Sequence, residues 1–180
     1  MSSFCYNLLQ NLVNLKQVEL FDCGFLEELP DFSKATNLVV LNARHCYRLT
    51  NVHPSVLSLD KLEKLDLSFC SSLASLTSNA QLSSLSHLNL KCCKNLMKFS
   101  VTSENMVELN LESTRTKALP PSFGSQRKLE MLDLESTEIE SLPSCMVNLT
   151  RLQNLNLRDC EKLQTIPELP PSLEILNVSK

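Results

Sequence analysis

The chain has 180 residues, of which 43% are hydrophobic, and a formal net charge of −3 at pH 7. This length and apolar content suffice for one folded domain, and the absence of excess Lys and Arg disfavours a nucleic acid partner. Apolar runs all fall short of the roughly 18 to 20 residues of a membrane span, and residues 1–7 lack the basic and hydrophobic regions of a secretion signal. We therefore expect no membrane partner.

Glycine is scarce, since the chain contains only Gly24 and Gly124. Rossmann and P-loop sites need several glycines, which let backbone amides approach a phosphate closely. We therefore expect no nucleotide cofactor in this chain.

One pattern recurs along the whole chain: Leu-x-x-Leu-x-Leu-x-x-(Cys/Thr), followed about three residues later by Leu and often by Leu-Pro or Ile-Pro. The spacing of 21 to 24 residues between copies falls in the range of leucine-rich repeats. We predict one domain of about eight repeats over residues 1–180. The copies begin, in chain order, at Leu15, Leu38, Leu62, Leu85, Met106, Leu129, Leu152 and Leu173.

Each copy contains a short alternating segment, such as Leu65-Asp66-Leu67-Ser68 in the third copy. Alternation with period two indicates a strand with one buried face, and stacked copies bury their leucines in a shared core. The predicted fold class is an α/β repeat, a horseshoe-shaped leucine-rich repeat solenoid with a concave parallel β-sheet. Leu67, Leu90, Leu111 and Leu134 should line up inside it.

The return half of several copies carries a Pro-Ser pair followed by apolar residues. The proline ends the extended segment, and the serine hydroxyl can cap a short helical turn. We expect irregular or short helical turns on the convex side. The pairs are Pro54-Ser55, Pro121-Ser122, Pro143-Ser144 and Pro171-Ser172.

Most of the eight cysteines follow the repeat rather than a pairing or zinc-finger spacing. At the corresponding position the fifth and sixth copies hold Thr114 and Thr137, so we expect a small side chain that donates to a nearby carbonyl. We predict reduced thiols in a reducing compartment and no bound metal. The cysteines at this repeat position are Cys23, Cys46, Cys70, Cys93 and Cys160.

The segment Leu152-Gln-Asn-Leu-Asn-Leu-Arg-Asp-Cys160 and the following Glu168-Leu-Pro-Pro-Ser-Leu-Glu174 are the more specific parts of the pattern. Copies with threonine in place of the cysteine, such as Leu134-Glu-Ser-Thr137, follow the same sequence pattern. These repeats resemble, over nearly the whole chain, the leucine-rich repeat region of plant intracellular immune receptors. Such receptors carry an N-terminal Toll/interleukin-receptor-like domain and a central nucleotide-binding domain.

This resemblance implies a protein-recognition module that senses a pathogen effector or a modified host protein and helps to hold the receptor inactive. It implies a cytoplasmic or nuclear location, and ADP or ATP only in a nucleotide-binding domain absent from this chain. Partners would be an effector, a host target or the receptor's other domains, and no small-molecule substrate. A repeat adaptor of another class, such as a substrate-recruiting part of a ubiquitin ligase, is the alternative.

Outward strand positions form two columns along the predicted sheet. The central column is polar and consists of Glu19, Asn42, Asp66, Asn89, Asn110, Asp133, Asn156 and Asn177. The outer column, two residues later in each copy, consists of Phe21, Arg44, Ser68, Lys91, Glu112, Glu135, Arg158 and Ser179. The outer column is basic in its early part and acidic in the fifth and sixth copies.

With Glu108 and Glu130 beside them, Glu112, Asp133 and Glu135 form a candidate patch for a basic partner. Taken singly, these residues also fit the solvated positions of an amphipathic ladder. Aromatic and aliphatic residues at outward or marginal positions, namely Phe21, Phe69, Val40 and Met131, are candidate anchors. The candidate partner-binding surface comprises Glu19, Phe21, Arg44, Lys91, Glu108, Glu112, Glu130, Asp133, Glu135 and Arg158.

A catalytic site needs a nucleophile beside a base, or paired carboxylates, and the sequence offers no convincing set. His45 and Cys46 are adjacent in sequence, but we expect Cys46 in the buried core and His45 at the outer edge of its strand, so they should not form a reactive pair. We therefore expect no enzyme activity. Both ends lack polar caps, which repeat arrays generally need. We expect the chain to be a fragment of a larger receptor with an exposed apolar end.

Overall fold

The computed structural model describes residues 12–78 and 81–179. Residues 1–7, on which the expectation of no secretion signal depends, lie outside these ranges, as does Cys5. The described part is a solenoid in which each coil contributes one strand to a common sheet.

Eight three-residue strands form one parallel sheet, ordered along the chain, and a second parallel sheet of two strands lies on the return side. The large sheet contains β1 (Gln17–Glu19), β2 (Val40–Asn42), β3 (Lys64–Asp66), β5 (His87–Asn89), β7 (Glu108–Asn110), β8 (Met131–Asp133), β9 (Asn154–Asn156) and β10 (Ile175–Asn177). The small sheet contains β4 (Ser75–Thr77) and β6 (Lys98–Ser100). The predicted parallel sheet is confirmed.

The middle residue of each strand stays in register from coil to coil, so that Leu41 is opposite Leu65 and Leu109 is opposite Leu132. The four leucines named above as the test of the fold, Leu67, Leu90, Leu111 and Leu134, are all fully buried. Stacked strands thus bury the shared leucine core that no single copy could bury alone.

Three short 3-10 helices lie on the return side, at Val56–Ser58, Pro121–Ser125 and Ser144–Asn148. The prediction of short convex turns is confirmed, but the prediction that serine caps them is wrong, because none of the three has a side-chain cap. Proline occupies the cap position of the second and third helices. At the first helix, the Ser55 Oγ instead accepts a hydrogen bond from the Phe32 amide, 2.8 Å away in the preceding coil.

The repeat-position cysteines join neighbouring coils as donors. The Sγ atoms of Cys46, Cys70, Cys93 and Cys160 donate to backbone carbonyls of the preceding coil over 3.0 to 3.2 Å. Thr114 and Thr137 donate instead to a carbonyl of their own coil, over 2.8 Å. None of the seven cysteines in the described ranges forms a disulfide bond.

In each of the first seven coils, the chain turns sharply three residues after the central-column residue. There the backbone adopts a positive φ of 54 to 63° at a residue other than glycine. The scarcity of glycine therefore does not remove left-handed turns from this chain. The residues in this conformation are Asp22, His45, Phe69, Cys92, Ser113, Ser136 and Asp159.

The last described coil leaves part of its apolar interior exposed. Leu176 is 43% exposed, although its register partner Leu155 is buried. Ile166 and Val178 are exposed beside it. In residues 12–78 and 81–179, no helix has the length and apolar character needed to cross a membrane.

Candidate functional site

The outward face of the eight-stranded sheet, here called the concave face, carries three columns of side chains. They are the central and outer columns and, two residues before the central one, a leading column. The leading column consists of Gln17, Val40, Lys64, His87, Glu108, Met131, Asn154 and Ile175.

The central column closes the turn after each strand. In six coils the Oδ1 atom of its Asn or Asp accepts a hydrogen bond from the amide two residues later, over 2.9 to 3.2 Å. This local side-chain to backbone bond satisfies an amide at the point where the chain leaves the sheet. The residues are Asn42, Asp66, Asn89, Asn110, Asp133 and Asn156.

Amides of the central column also bond to carboxylates of the preceding coil. Asn42 Nδ2 donates to Glu19 Oε2 over 2.6 Å, and Asn156 Nδ2 donates to Glu135 Oε2 over 2.9 Å. The second oxygen of Glu19 accepts from Gln17. Two of the candidate partner-binding carboxylates, Glu19 and Glu135, therefore already hold hydrogen bonds within the sheet.

Asp133 is the candidate carboxylate with a pKa raised by its surroundings. Burial raises its pKa, and the carboxylates of Glu112 and Glu135 raise it further, while the hydrogen bond from the Glu135 amide opposes the shift. The three acids therefore lie close enough for their charges to repel one another. The predicted acidic grouping of the fifth and sixth copies corresponds to this triplet.

Lys91 connects the basic part of the outer column to the acidic part. Its Nζ lies 2.7 Å from Glu112 Oε2 in the next coil, and the hydrogen bond to this carboxylate raises the pKa of Lys91. The two ends of the predicted charge segregation therefore meet in an ion pair. This pair leaves Asp133 and Glu135 as the acids of the triplet without a lysine or arginine partner within 4 Å in the described part of the chain.

The first three coils bring together a group of aromatic rings that we call the aromatic edge: Phe21, His45, Tyr47 and Phe69. The His45 ring stacks on Phe69, with centroids 4.4 Å apart and planes 5° apart. It meets Phe21 and Tyr47 edge to face at 5.4 and 5.7 Å, and its Nδ1 lies 2.9 Å from the Tyr47 hydroxyl. The aromatic edge follows the end of strands β1 to β3.

Arg44 lies against the aromatic edge. Its guanidinium carbon is 5.7 Å from the centroid of the Phe21 ring, within the range of a cation-π contact. Its Nε is buried and has no hydrogen-bond partner. The candidates Phe21 and Arg44 are thus in contact, in the first two coils, whereas the acidic triplet belongs to the fifth and sixth coils.

The remaining candidates lie apart from these two groups. Glu108 borders a hollow of about 230 Å³ on the concave face, which Val40, Lys64 and His87 also line. Glu130 precedes β8, where its backbone carbonyl accepts two amides of the next coil. Arg158 is exposed in the outer column.

A serine, a histidine and an aspartate meet on the return side of the first two coils. His53 Nδ1 lies 2.9 Å from Ser55 Oγ and 3.8 Å from Asp31 Oδ1. A catalytic triad needs the serine and the carboxylate on different ring nitrogens, whereas both groups here approach Nδ1. The trio is therefore a turn contact, and the Asp31 pKa is lowered first by the backbone amide of Ser33.

Sequence reasoning placed Phe21 and Phe69 outward but did not foresee the stacking. The signal was present in the residues that precede the repeat-position cysteines, since His45 and Phe69 share one position of the pattern. In the described residues, no group of three or more His, Cys, Asp or Glu side chains is placed to hold a metal ion.

Comparison with known proteins agrees with the repeat pattern. A family model described as leucine rich repeat matches residues 104–161. A leucine-rich repeat protein of Leptospira interrogans has a solved structure that superposes with a TM-score of 0.55 at 20% identity, covering 95% of this chain and 56% of that one. The likeness to this structure supports the solenoid fold.

Sequence relatives lie in Arabidopsis thaliana. The protein SUPPRESSOR OF npr1-1, CONSTITUTIVE 1 is 34% identical over 151 residues, which is 84% of this chain and 10% of that protein. Disease resistance protein RML1A is 34% identical over 170 residues, which is 94% of this chain and 15% of that protein. The chain therefore corresponds to a small part of each relative, and its similarity to plant disease resistance proteins is confirmed.

Proposed function

We propose that this chain, which belongs to the leucine-rich repeat proteins and is related over most of its length to plant disease resistance proteins, is the protein-recognition module of an intracellular immune receptor. It recognises a pathogen effector, or a host protein modified by one, in the cytoplasm or nucleus. Before recognition it contributes to holding the receptor inactive by contact with the receptor's other domains.

The observation that carries this proposal is the outward, concave face of the sheet. The similarity of the chain to disease resistance proteins supports it. Short parallel strands place three columns of side chains on the outward face of the sheet, and the Asn and Asp side chains of the central column close the turns. A repeat sheet of this kind offers an extended surface for a protein partner. Leading and outer columns carry the charge and aromatic groups that distinguish one such surface from another.

The test uses the full-length gene product in plant leaves, carrying Glu112→Gln and Glu135→Gln together. These changes remove charge from the acidic triplet but keep groups that can hydrogen bond. We expect either loss of pathogen-dependent cell death or cell death without a pathogen, depending on whether the triplet contacts the effector or the receptor. The matched control carries Glu161→Gln and Glu168→Gln, two exposed acids outside the three columns.

Proximity labelling with the same gene product, before and after pathogen challenge, gives a second measurement. Labelling of an effector or a host target that depends on the triplet supports the proposal. Unchanged cell death and unchanged labelling in the concave-face variant would contradict it. Labelling of ubiquitin ligase subunits alone would favour the adaptor function instead.

A further inference from the structure

Two residues of the aromatic edge, His45 and Phe69, share a turn position where bulky side chains are unfavourable. Phe69 has a φ angle of 62°, in the left-handed region that bulky residues rarely adopt, whereas His45, with a φ of 63°, is a residue type found there more often. Later coils make the same turn with small or polar residues such as Ser113, Ser136 and Asp159. Closing the turn therefore does not require an aromatic ring, and such strain tends to persist where a function needs it.

Two rings of the aromatic edge, those of Phe21 and Tyr47, are exposed to solvent, and those of His45 and Phe69 are partly exposed. Phe21 is 57% exposed and Tyr47 is 47% exposed, and the neighbouring Phe25 is 87% exposed. Large aromatic side chains on a surface are the residue type that most often anchors a protein interface. The aromatic edge is thus a ready hydrophobic platform at one end of the concave face.

Arg44 gives this platform a charge preference. It forms no ion pair within 4 Å in the described part of the chain, and its neighbours in the outer column are Phe21 and Ser68, which are uncharged. Glu19, one of the acids of the preceding coil, has both oxygens engaged by the side-chain amides of Gln17 and Asn42. A guanidinium held against a ring and lacking an acid is suited to a carboxylate from outside.

We propose that the aromatic edge and Arg44 together dock a protein segment that presents a large apolar side chain next to an Asp or Glu. The apolar side chain packs on the exposed ring of Phe21 and the partly exposed ring of Phe69, and the carboxylate binds the Arg44 guanidinium. This inference rests on the proposed role in protein recognition and names the chemistry of one partner segment. It assigns an acidic-apolar partner to the first coils of the sheet, away from the acidic triplet of the fifth and sixth coils.

Selection from a display library of random dodecapeptides on the full 180-residue chain tests the proposal. Every enriched peptide is then measured on the Phe21→Ser variant, which identifies peptides that bind elsewhere, including at the exposed apolar end near Val178. We expect the enriched peptides to carry Asp or Glu within about three positions of an aromatic residue or leucine. Their affinity should fall about tenfold on Phe21→Ser, the scale of losing one desolvated anchor.

Arg44→Gln is the second variant, and it measures the contribution of the Arg44 charge separately from that of the aromatic rings. It should weaken acidic peptides about tenfold and leave the same peptides with Asn or Gln in place of the acid nearly unchanged. Met131→Ser, at an exposed residue of the same face in the sixth coil, is the matched control and should change nothing. Denaturation curves for each variant establish that it is folded.

Enrichment of basic peptides, or of none, would overturn the inference. Peptides that depend on Met131 or Glu135 rather than Phe21 would overturn it too, while leaving the proposed recognition function intact. Concentration-dependent sedimentation that Phe21→Ser abolishes would assign the aromatic edge to a second copy of this chain and would also overturn the inference.

Discussion

The thiol of Cys93 donates a hydrogen bond to the backbone carbonyl of Leu67 in the preceding coil, with 3.1 Å between Sγ and O. Both residues are fully buried. Cys93→Ala removes this bond and leaves a small void, and we expect a loss of about 1 to 2 kcal/mol in the free energy of unfolding. Urea denaturation measures it. The adjacent Cys92→Ala is the control, and an equal loss there would contradict the assigned role.

The buried thiols also predict how stability depends on pH. Burial raises the pKa of Cys46 to about 11 and that of Cys70 to about 12, from 9.0. Unfolded thiols ionise near pH 9 while the folded ones stay protonated, so unfolding releases protons above that pH. The free energy of unfolding should therefore fall as pH rises from about 9 to about 11.

Threonine at these positions isolates the effect of the thiols from that of lysine and tyrosine. The variant Cys46→Thr with Cys70→Thr uses the residue that the chain already has at Thr114 and Thr137. Its loss of stability between pH 9 and 11, followed by denaturation at each pH, should be smaller than that of the unaltered chain. Identical losses would show that the thiols do not contribute.

The shared core predicts a large effect for Leu111→Ala. Leu111 is fully buried in the fifth coil, so truncation removes apolar contacts and leaves a cavity. We expect the free energy of unfolding to drop by about 2 to 5 kcal/mol, measured by chemical denaturation. Met131→Ala, at a residue 43% exposed on the opposite face of the sheet, should cost well under half as much. An unchanged denaturation midpoint for Leu111→Ala would be incompatible with the stacked core.

The left-handed turns predict opposite effects for two substitutions at Ser136, where φ is 55°. Ser136→Gly should be neutral or stabilising, because glycine adopts this conformation without steric cost. Ser136→Val should lose about 1 to 2 kcal/mol, because a branched side chain is strained there. Thermal denaturation compares them with Ser75→Val in β4, where valine suits an extended strand. Equal effects of valine at the two sites would count against the strain.

Asp133→Asn tests the cost of ionising Asp133, which is partly buried and also faces the charges of Glu112 and Glu135. The raised pKa of Asp133 means that its ionisation opposes folding, so the penalty is absent at low pH and grows as pH rises above the unfolded value near 4. The asparagine oxygen can still accept the Glu135 amide, as Asn110 accepts that of Glu112. We expect a gain of about 0.5 to 1 kcal/mol at pH 7 and little difference near pH 3. A loss at pH 7 would show that the charge itself stabilises the turn.

Much of the fold was predictable because it follows from the regular spacing of leucines in the sequence. Leucines at fixed spacing, such as Leu67 and Leu90, can all be buried only when the coils stack, and the parallel sheet follows. The cysteines were predictable for the same reason, since threonine replaces them at one position of the repeat.

Contacts that depend on backbone conformation were not predictable in this way. Ser55 bonds to the amide of Phe32 rather than to its own helix, which depends on how two coils pack. The stacking of His45 on Phe69 depends on left-handed turns, which the sequence did not indicate because glycine is scarce. The candidate surface could be located by alternation, but its ion pair between Lys91 and Glu112 required coordinates.

The turn-closing central column is a structural framework along the middle of the concave face, with the leading and outer columns as its two margins. Altering Asn89 or Asn110 disturbs a backbone bond before it alters any partner contact. Changes in the leading and outer columns, by contrast, leave the turn amides satisfied. Diversification of what this face binds, in nature or in the laboratory, can therefore proceed coil by coil along two margins without rebuilding the scaffold between them.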